Sequence, residues 1–111
     1  MAGVPQDASV EALIDARPRR RMVRDSNVYA EGSEPDQVWF LHDGLVKLET
    51  TGAGGATVLV GFRGAGEWLG EHAAIDGLPR MTTAIVARDA TLTSMGRDHF
   101  MDLVGTDTGL R

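Results

Sequence analysis

The chain has 111 residues, room for one domain and not comfortably two. Its hydrophobic share of 42% and charged share of 24% are those of an ordinary globule and exclude general disorder. The absence of cysteine excludes a disulfide framework and a thiolate metal site. A net charge of −5 disfavours nucleic-acid binding over the whole surface, because phosphate contacts dominate such affinity. No apolar run approaches the ~20 residues of a membrane span; the longest covers 58–62 and contains a glycine. The N-terminus lacks the basic start and apolar centre of a signal peptide, so a cytoplasmic location is expected.

Residues 1–6 read as disordered, and 7–16 as a short helix. Val10, Leu13 and Ile14 form one apolar stripe, Asp7 or Ser9 is the candidate cap, and Pro18 is the stop. Arg17, Arg19, Arg20, Arg21 and Arg24 crowd the next segment. A solvated N-terminal arm is the plainer reading; contact with a nucleic acid or an acidic partner is the other. From about Met22 to Met95 the chain reads as short β-segments. A strand at 28–30 precedes a turn at 31–36. The strand 38–42 ends at Asp43-Gly44, a hairpin signal. Across 45–50, Val46 and Leu48 alternate with Lys47 and Glu49. Residues 51–55 form a flexible loop, after which Val58, Val60 and Phe62 are expected to point inward. Segments 84–87 and 92–95 are expected to be the last two strands. Residues 97–104 turn helical, with Phe100, Met101, Leu103 and Val104 on the apolar face. Trp39 and Trp68 are expected in the core. No repeat of 20–50 residues is present.

One segment breaks this rhythm. Between 68 and 80 come a strand, Gly70, a helical turn at 71–75, a stop at Asp76-Gly77, and a loop carrying Arg80. A helix start exposes N–H groups and the positive end of its dipole, which suits an anion. Gly70 permits close backbone approach, and Arg80 offers a planar fork to a phosphate. Glu71 would repel a bare phosphate but accepts hydrogen bonds from sugar hydroxyls, and Thr82 and Thr83 add hydroxyls. Phosphate plus sugar hydroxyl indicates a nucleotide or a sugar phosphate. A surface ion pair between Glu71 and Arg80 fits the same spacing.

The run Phe62-Arg63-Gly64-Ala65-Gly66-Glu67-Trp68-Leu69-Gly70-Glu71, continuing to Leu78-Pro79-Arg80, resembles the phosphate-binding cassette of the cyclic-nucleotide-binding domain in the catabolite-activator and fumarate–nitrate-regulator family. The stretch Val38-Trp39-Phe40-Leu41-His42-Asp43-Gly44-Leu45-Val46-Lys47-Leu48 resembles that family's strand–glycine–strand hairpin, and Asn27-Val28-Tyr29-Ala30-Glu31-Gly32 its early strand and turn. The resemblance covers about 20–104. It implies a mainly β fold: a double-stranded β-helix, or jelly-roll-like β-roll, with short flanking helices. The expected divisions are an arm with a short helix at 1–19, the roll at 20–104 and a tail at 105–111. It further implies a sensor of cyclic AMP or cyclic GMP, not an enzyme, forming the effector-binding part of a bacterial transcriptional regulator. The same fold with a degenerate pocket would instead be a protein-interaction or dimerisation module, or sense another ligand. The implied ligand set is Gly70, Glu71, His72, Ala73, Arg80, Met81, Thr82 and Thr83, with Leu48, Val60 and Leu69 as pocket wall. Glu71 would accept the ribose 2′-hydroxyl, Arg80 would neutralise the cyclic phosphate, and N–H groups of Gly70, His72 and Ala73 would cradle it.

Departures from the pattern are Met81 where a small hydroxyl residue is usual, leaving the register of Arg80, Met81 and Thr82 open, and His72 and Ala74 where aliphatic residues are more frequent. The family's dimerisation helix and helix-turn-helix domain do not follow, so the chain reads as a fragment of a longer, homodimeric regulator and is expected not to bind DNA alone. Asp107-Thr108-Gly109 matches an aspartic-protease triplet but has no strands after it. Gly64, Gly66 and Gly70 miss the dinucleotide spacing. His42, His72 and His99 lack metal-ligand spacing, which argues against a metal-holding β-barrel enzyme.

Overall fold

The computed structural model describes residues 8–105. The candidate caps Asp7 and Ser9, the disorder expected at 1–6, and nearly all of the tail expected at 105–111 with its triplet Asp107-Thr108-Gly109 lie outside the residues or side chains described. Helix α1 spans Ala8–Asp15 and α3 spans Arg97–Gly105; between them lie six strands and a short helix, α2, Glu71–Asp76. The strands are β1 Arg20–Met22, β2 Asn27–Tyr29, β3 Gln37–Thr51, β4 Thr57–Gly64, β5 Trp68–Leu69 and β6 Thr83–Gly96. All pairings are antiparallel, in the order β1-β6-β3-β4, with β2 also on β6 and β5 also on β3. This is the expected mainly β roll with short flanking helices.

Two long strands replace four expected short ones. Asp43-Gly44 is not a hairpin: β3 runs straight through it, and its pairing with β6 slips at Leu41/Asp43, Asp43/Leu45 and Leu45/Val46. An Asp-Gly pair supplies a positive φ, which serves a bulge as well as a reversal. Gly44 has φ +105, and a Cβ there would lie 2.5 Å from the Asp89 carbonyl oxygen and 2.6 Å from the Ala90 Cα. Likewise 84–87 and 92–95 belong to one strand, β6. The true reversal is at the glycine-rich 51–55, where Gly52 N–H donates to the Ala56 carbonyl (2.7 Å) and β4 returns along β3.

The interior holds two apolar clusters. In one, Val10 and Ile14 of α1 meet Val38, Trp68, Met95, Phe100 and Val104, so the expected helix faces are the buried ones. The other, inside the roll, joins Leu41, Val46, Leu48, Leu69, Ala84, Val86 and Leu92. Trp68 lies in the first, and Trp39 packs against the second. The expectation for β4 fails: Val58, Leu59, Val60 and Phe62 are all about half exposed. β4 pairs only with β3, so its alternation has no second layer to face. The arginine-rich segment is solvated as expected, with Arg19, Arg20, Arg21 and Arg24 exposed, but it is tied to the sheet. Arg20, Arg21 and Met22 pair with Leu92, Thr91 and Ala90 of β6, and Arg21 bonds Asp89 at 2.9 Å.

His42 bonds the buried Thr93 hydroxyl at 2.7 Å. Burial first, then the Arg19 cation, holds its pKa below the ordinary 6.5, against an opposing pull from Asp15. Folding therefore prefers the neutral ring, and the unfolded chain takes up the proton first. Stability complete above pH 6.5 falls as the pH drops below that value. The melting temperature is expected to fall less in His42→Gln than in the parent between about pH 7 and about pH 5.5; parallel curves would refute this. Gly44→Ala is expected to lower stability by about 3 kcal/mol, from a left-handed backbone and a collision with β6. Denaturant unfolding checks it, and a loss under about 1 kcal/mol would refute it.

Candidate functional site

α2 begins at Gly70, which takes a left-handed conformation (φ 80, ψ 7) and provides no side-chain cap. Its first-turn N–H groups thus have no intrahelical acceptor. The helix stops at Gly77, whose N–H donates to Ala73. The chain then crosses Leu78 and Pro79 and turns Arg80 inward.

Arg80 is 3% exposed. Its Nη1 donates to the Gly70 carbonyl at 2.9 Å and its Nη2 to the Gln37 carbonyl at 2.5 Å. The guanidinium carbon lies 4.4 Å from the ring centroid of Tyr29 and 5.3 Å from that of Trp39, and those rings stack on each other at 5.6 Å. The backbone is pinned as well: Arg80 N–H donates to Ser33, and Gly32 N–H donates to Arg80. Only glycine suits position 70, because a Cβ there would meet Arg80 Nη1. No carboxylate pairs with the guanidinium among the described residues, and its buried Nε has no hydrogen-bond partner there. Burial lowers the Arg80 pKa from its ordinary value, opposed by Tyr29 and Asp36. A buried cation with an unused Nε–H donor and no ion pair among the described residues has the chemistry to accept an anion.

A cleft of ≈ 200 Å³ opens beside it. Of the expected site residues, Gly70, Glu71, His72, Ala73, Arg80, Met81 and Thr82 line it, together with the expected walls Leu48, Val60 and Leu69. Thr83 does not: it sits on β6, and its hydroxyl accepts from Glu31 N–H at 2.9 Å. The surface ion pair between Glu71 and Arg80 is absent among the described residues, and Glu71 stands half-buried at the cleft with no ion pair. Arg80 itself faces the cleft; Met81 is 83% exposed, and the Thr82 hydroxyl lies 3.5 Å from that of Tyr29.

Two lining residues had no expected role, Tyr29 and Arg63. Tyr29 comes from a strand remote in sequence, and no local pattern marks it. Arg63 follows a bulge: Leu48 pairs with Gly61 and Glu49 with Leu59, which skips Val60. That slip changes the phase of β4, so simple alternation does not put Arg63 on the cleft side that Val60 occupies. His72 lies at the cleft, His42 is held by Thr93, and His99 lies 3.4 Å from Arg17. The described residues contain no group of three or more histidines or acids that could hold a metal ion, and no helix long and apolar enough to cross a membrane.

The family model of the cyclic nucleotide-binding domain matches residues 19–107. Among curated proteins, lysophospholipase nte1 of Emericella nidulans is 30% identical over 83 residues, 75% of this chain and 5% of that protein. Among solved structures, the catabolite activator protein of Thermus thermophilus superposes with a TM-score of 0.77 at 23% identity, over 91% of this chain and 47% of that one. The EAL enzyme Bd1971 in its cAMP-bound form gives a TM-score of 0.73 at 22% identity, over 80% of this chain and 24% of that one. The chain thus spans under half the length of each of these three proteins. With the family model covering the roll from β1 through α3, the chain belongs to the cyclic nucleotide-binding domain family.

Proposed function

We propose that this chain is a non-enzymatic sensor of a cyclic nucleotide, cyclic AMP or cyclic GMP, serving as the effector-binding part of a cytoplasmic, homodimeric bacterial transcriptional regulator. The observation that carries the reading is the unpaired, buried Arg80 guanidinium sharing one cleft with an unpaired Glu71 and the open start of α2. Arg80 and the N–H groups of Gly70, His72 and Ala73 take the cyclic phosphate, and Glu71 takes the ribose 2′-hydroxyl. Leu48, Val60 and Leu69 face the apolar parts of the ligand.

The cleft is also wired to the C-terminal helix. Arg97, the first residue of α3, donates from Nε to the Ala74 carbonyl of α2 at 2.7 Å. A ligand that shifts α2 therefore moves a residue bonded to α3, and the shift is bounded by the ligand's differential affinity for the two arrangements.

Arg80→Ala is a poor test, although Arg80 lies on a loop. It leaves the part-buried Gly70 and Gln37 carbonyls without their donor and removes two ring contacts, so it is expected to cost about 2–3 kcal/mol of stability as well. Glu71→Ala, which removes no contact of Arg80, separates binding from folding. In calorimetric titration with cyclic AMP and cyclic GMP, the parent is expected to bind saturably. Glu71→Ala is expected to bind roughly 10–100-fold more weakly, with an unchanged melting temperature. Absence of binding in the parent would overturn the sensor reading in favour of a degenerate pocket, and an unchanged affinity in Glu71→Ala would overturn the ribose assignment. The chain alone is expected not to bind DNA; tight, sequence-specific binding in a gel shift would contradict this.

A further inference from the structure

A second cavity lies beside β1, and nothing in the cyclic-nucleotide reading uses it. Its volume is ≈ 320 Å³, larger than the ≈ 200 Å³ of the nucleotide cleft. Trp39, Leu92 and Met22 form its apolar walls, and Arg17 and Arg20 bring two cations to it. Among the described residues, no aspartate or glutamate lines it, in a chain whose net charge is −5.

The two arginines are the ones in their segment without an acid partner. Arg19 bonds Asp15 at 3.4 Å, Arg21 bonds Asp89 at 2.9 Å, and Arg24 lies 4.0 Å from Asp25. Arg17 is oriented instead by a bond from Nε to the Ser94 carbonyl (3.0 Å), with Nη1 3.4 Å from His99 Nδ1. Its Nη2 has no partner among the described residues. Arg20 makes no side-chain hydrogen bond or ion pair among the described residues, and its Cα is paired across the sheet with that of Leu92, an apolar wall of the cavity. The site thus combines a fixed cation, a free cation and an apolar interior. Its complement is a single anionic head on an apolar body.

We propose that this cavity is a second ligand site, for a small monocarboxylate with an aliphatic or aromatic body. The carboxylate sits between Arg17 and Arg20, and the apolar body lies against Trp39, Leu92 and Met22. The test is calorimetric titration of the full chain with octanoate, without any nucleotide, so the result stands whether or not the other cleft binds one. The expected result is saturable binding at one equivalent, weakened roughly tenfold or more in Arg20→Ala. Arg24→Ala, which removes the same charge outside the cavity, is expected to leave octanoate affinity unchanged. Arg20 is exposed on a strand, and an unchanged melting temperature shows that its replacement leaves the roll folded. Absence of saturable binding, or equal weakening in Arg20→Ala and Arg24→Ala, would overturn the proposal; the latter would mark attraction to net charge alone.

Discussion

The pairing of β3 with β6 is the constraint on which the rest of the molecule depends. A 15-residue strand against a 14-residue one is long enough that each half carries different neighbours. The first half of β3 holds β5, and its second half holds β4; β6 holds β2 at its start, on Ala84 and Ile85, and β1 farther along, on Ala90, Thr91 and Leu92. Three register slips between Leu41 and Val46 bend the pair, and Gly44 lets the two backbones cross without a Cβ between them. The bend is what makes a roll from one sheet. It also lays the Gly70 end of α2 against the Gln37 end of β3, and there the Arg80 side chain bridges the two.

Arg80 then organises the site in a way that a surface arginine could not. Its two Nη groups satisfy carbonyls from α2's cap and from β3, and two aromatic faces cover its charge. A buried guanidinium held only by neutral acceptors carries a desolvation cost that neutral hydrogen bonds and ring contacts offset in part. The sensor reading proposed above puts an anion in the adjoining cleft as the ion-pair partner of this cation, and on that reading stability and ligand attraction reside in one side chain. Trp39 serves two regions, since its indole lies under Arg80 and also walls the cavity beside β1.

Local chemistry was the readable part of the site. The succession of strand, Gly70, helical turn, Asp76-Gly77 and Arg80 folds as its residues dictate, because each step is a short-range preference: a left-handed glycine, a capped turn, a proline-restricted loop. The seven cassette residues that line the cleft lie within 13 positions of one another. Thr83 departs because β6 starts there and its pairing takes over the hydroxyl's direction. Tyr29 and Arg63 reach the cleft only through the sheet: one by strand β2, the other by a bulge that resets the phase of β4.

The amino-acid sequence by itself determined the run of β-segments between Met22 and Met95 and the apolar faces of the two terminal helices, since these follow from periodicity, while the roll and the roles of the cassette residues were what the family resemblance implied. The tertiary structure decided what sequence periodicity cannot encode. Asp43-Gly44 became a bulge because β6 passes over it, and a local dipeptide preference does not distinguish a bend from a reversal. The apolar alternation of β4 stayed half exposed because the sheet offers that strand one neighbour and no second layer. Arg80 became a buried bridge because the bend brings two carbonyls and two rings, distant in the chain, around a loop residue that would otherwise face solvent.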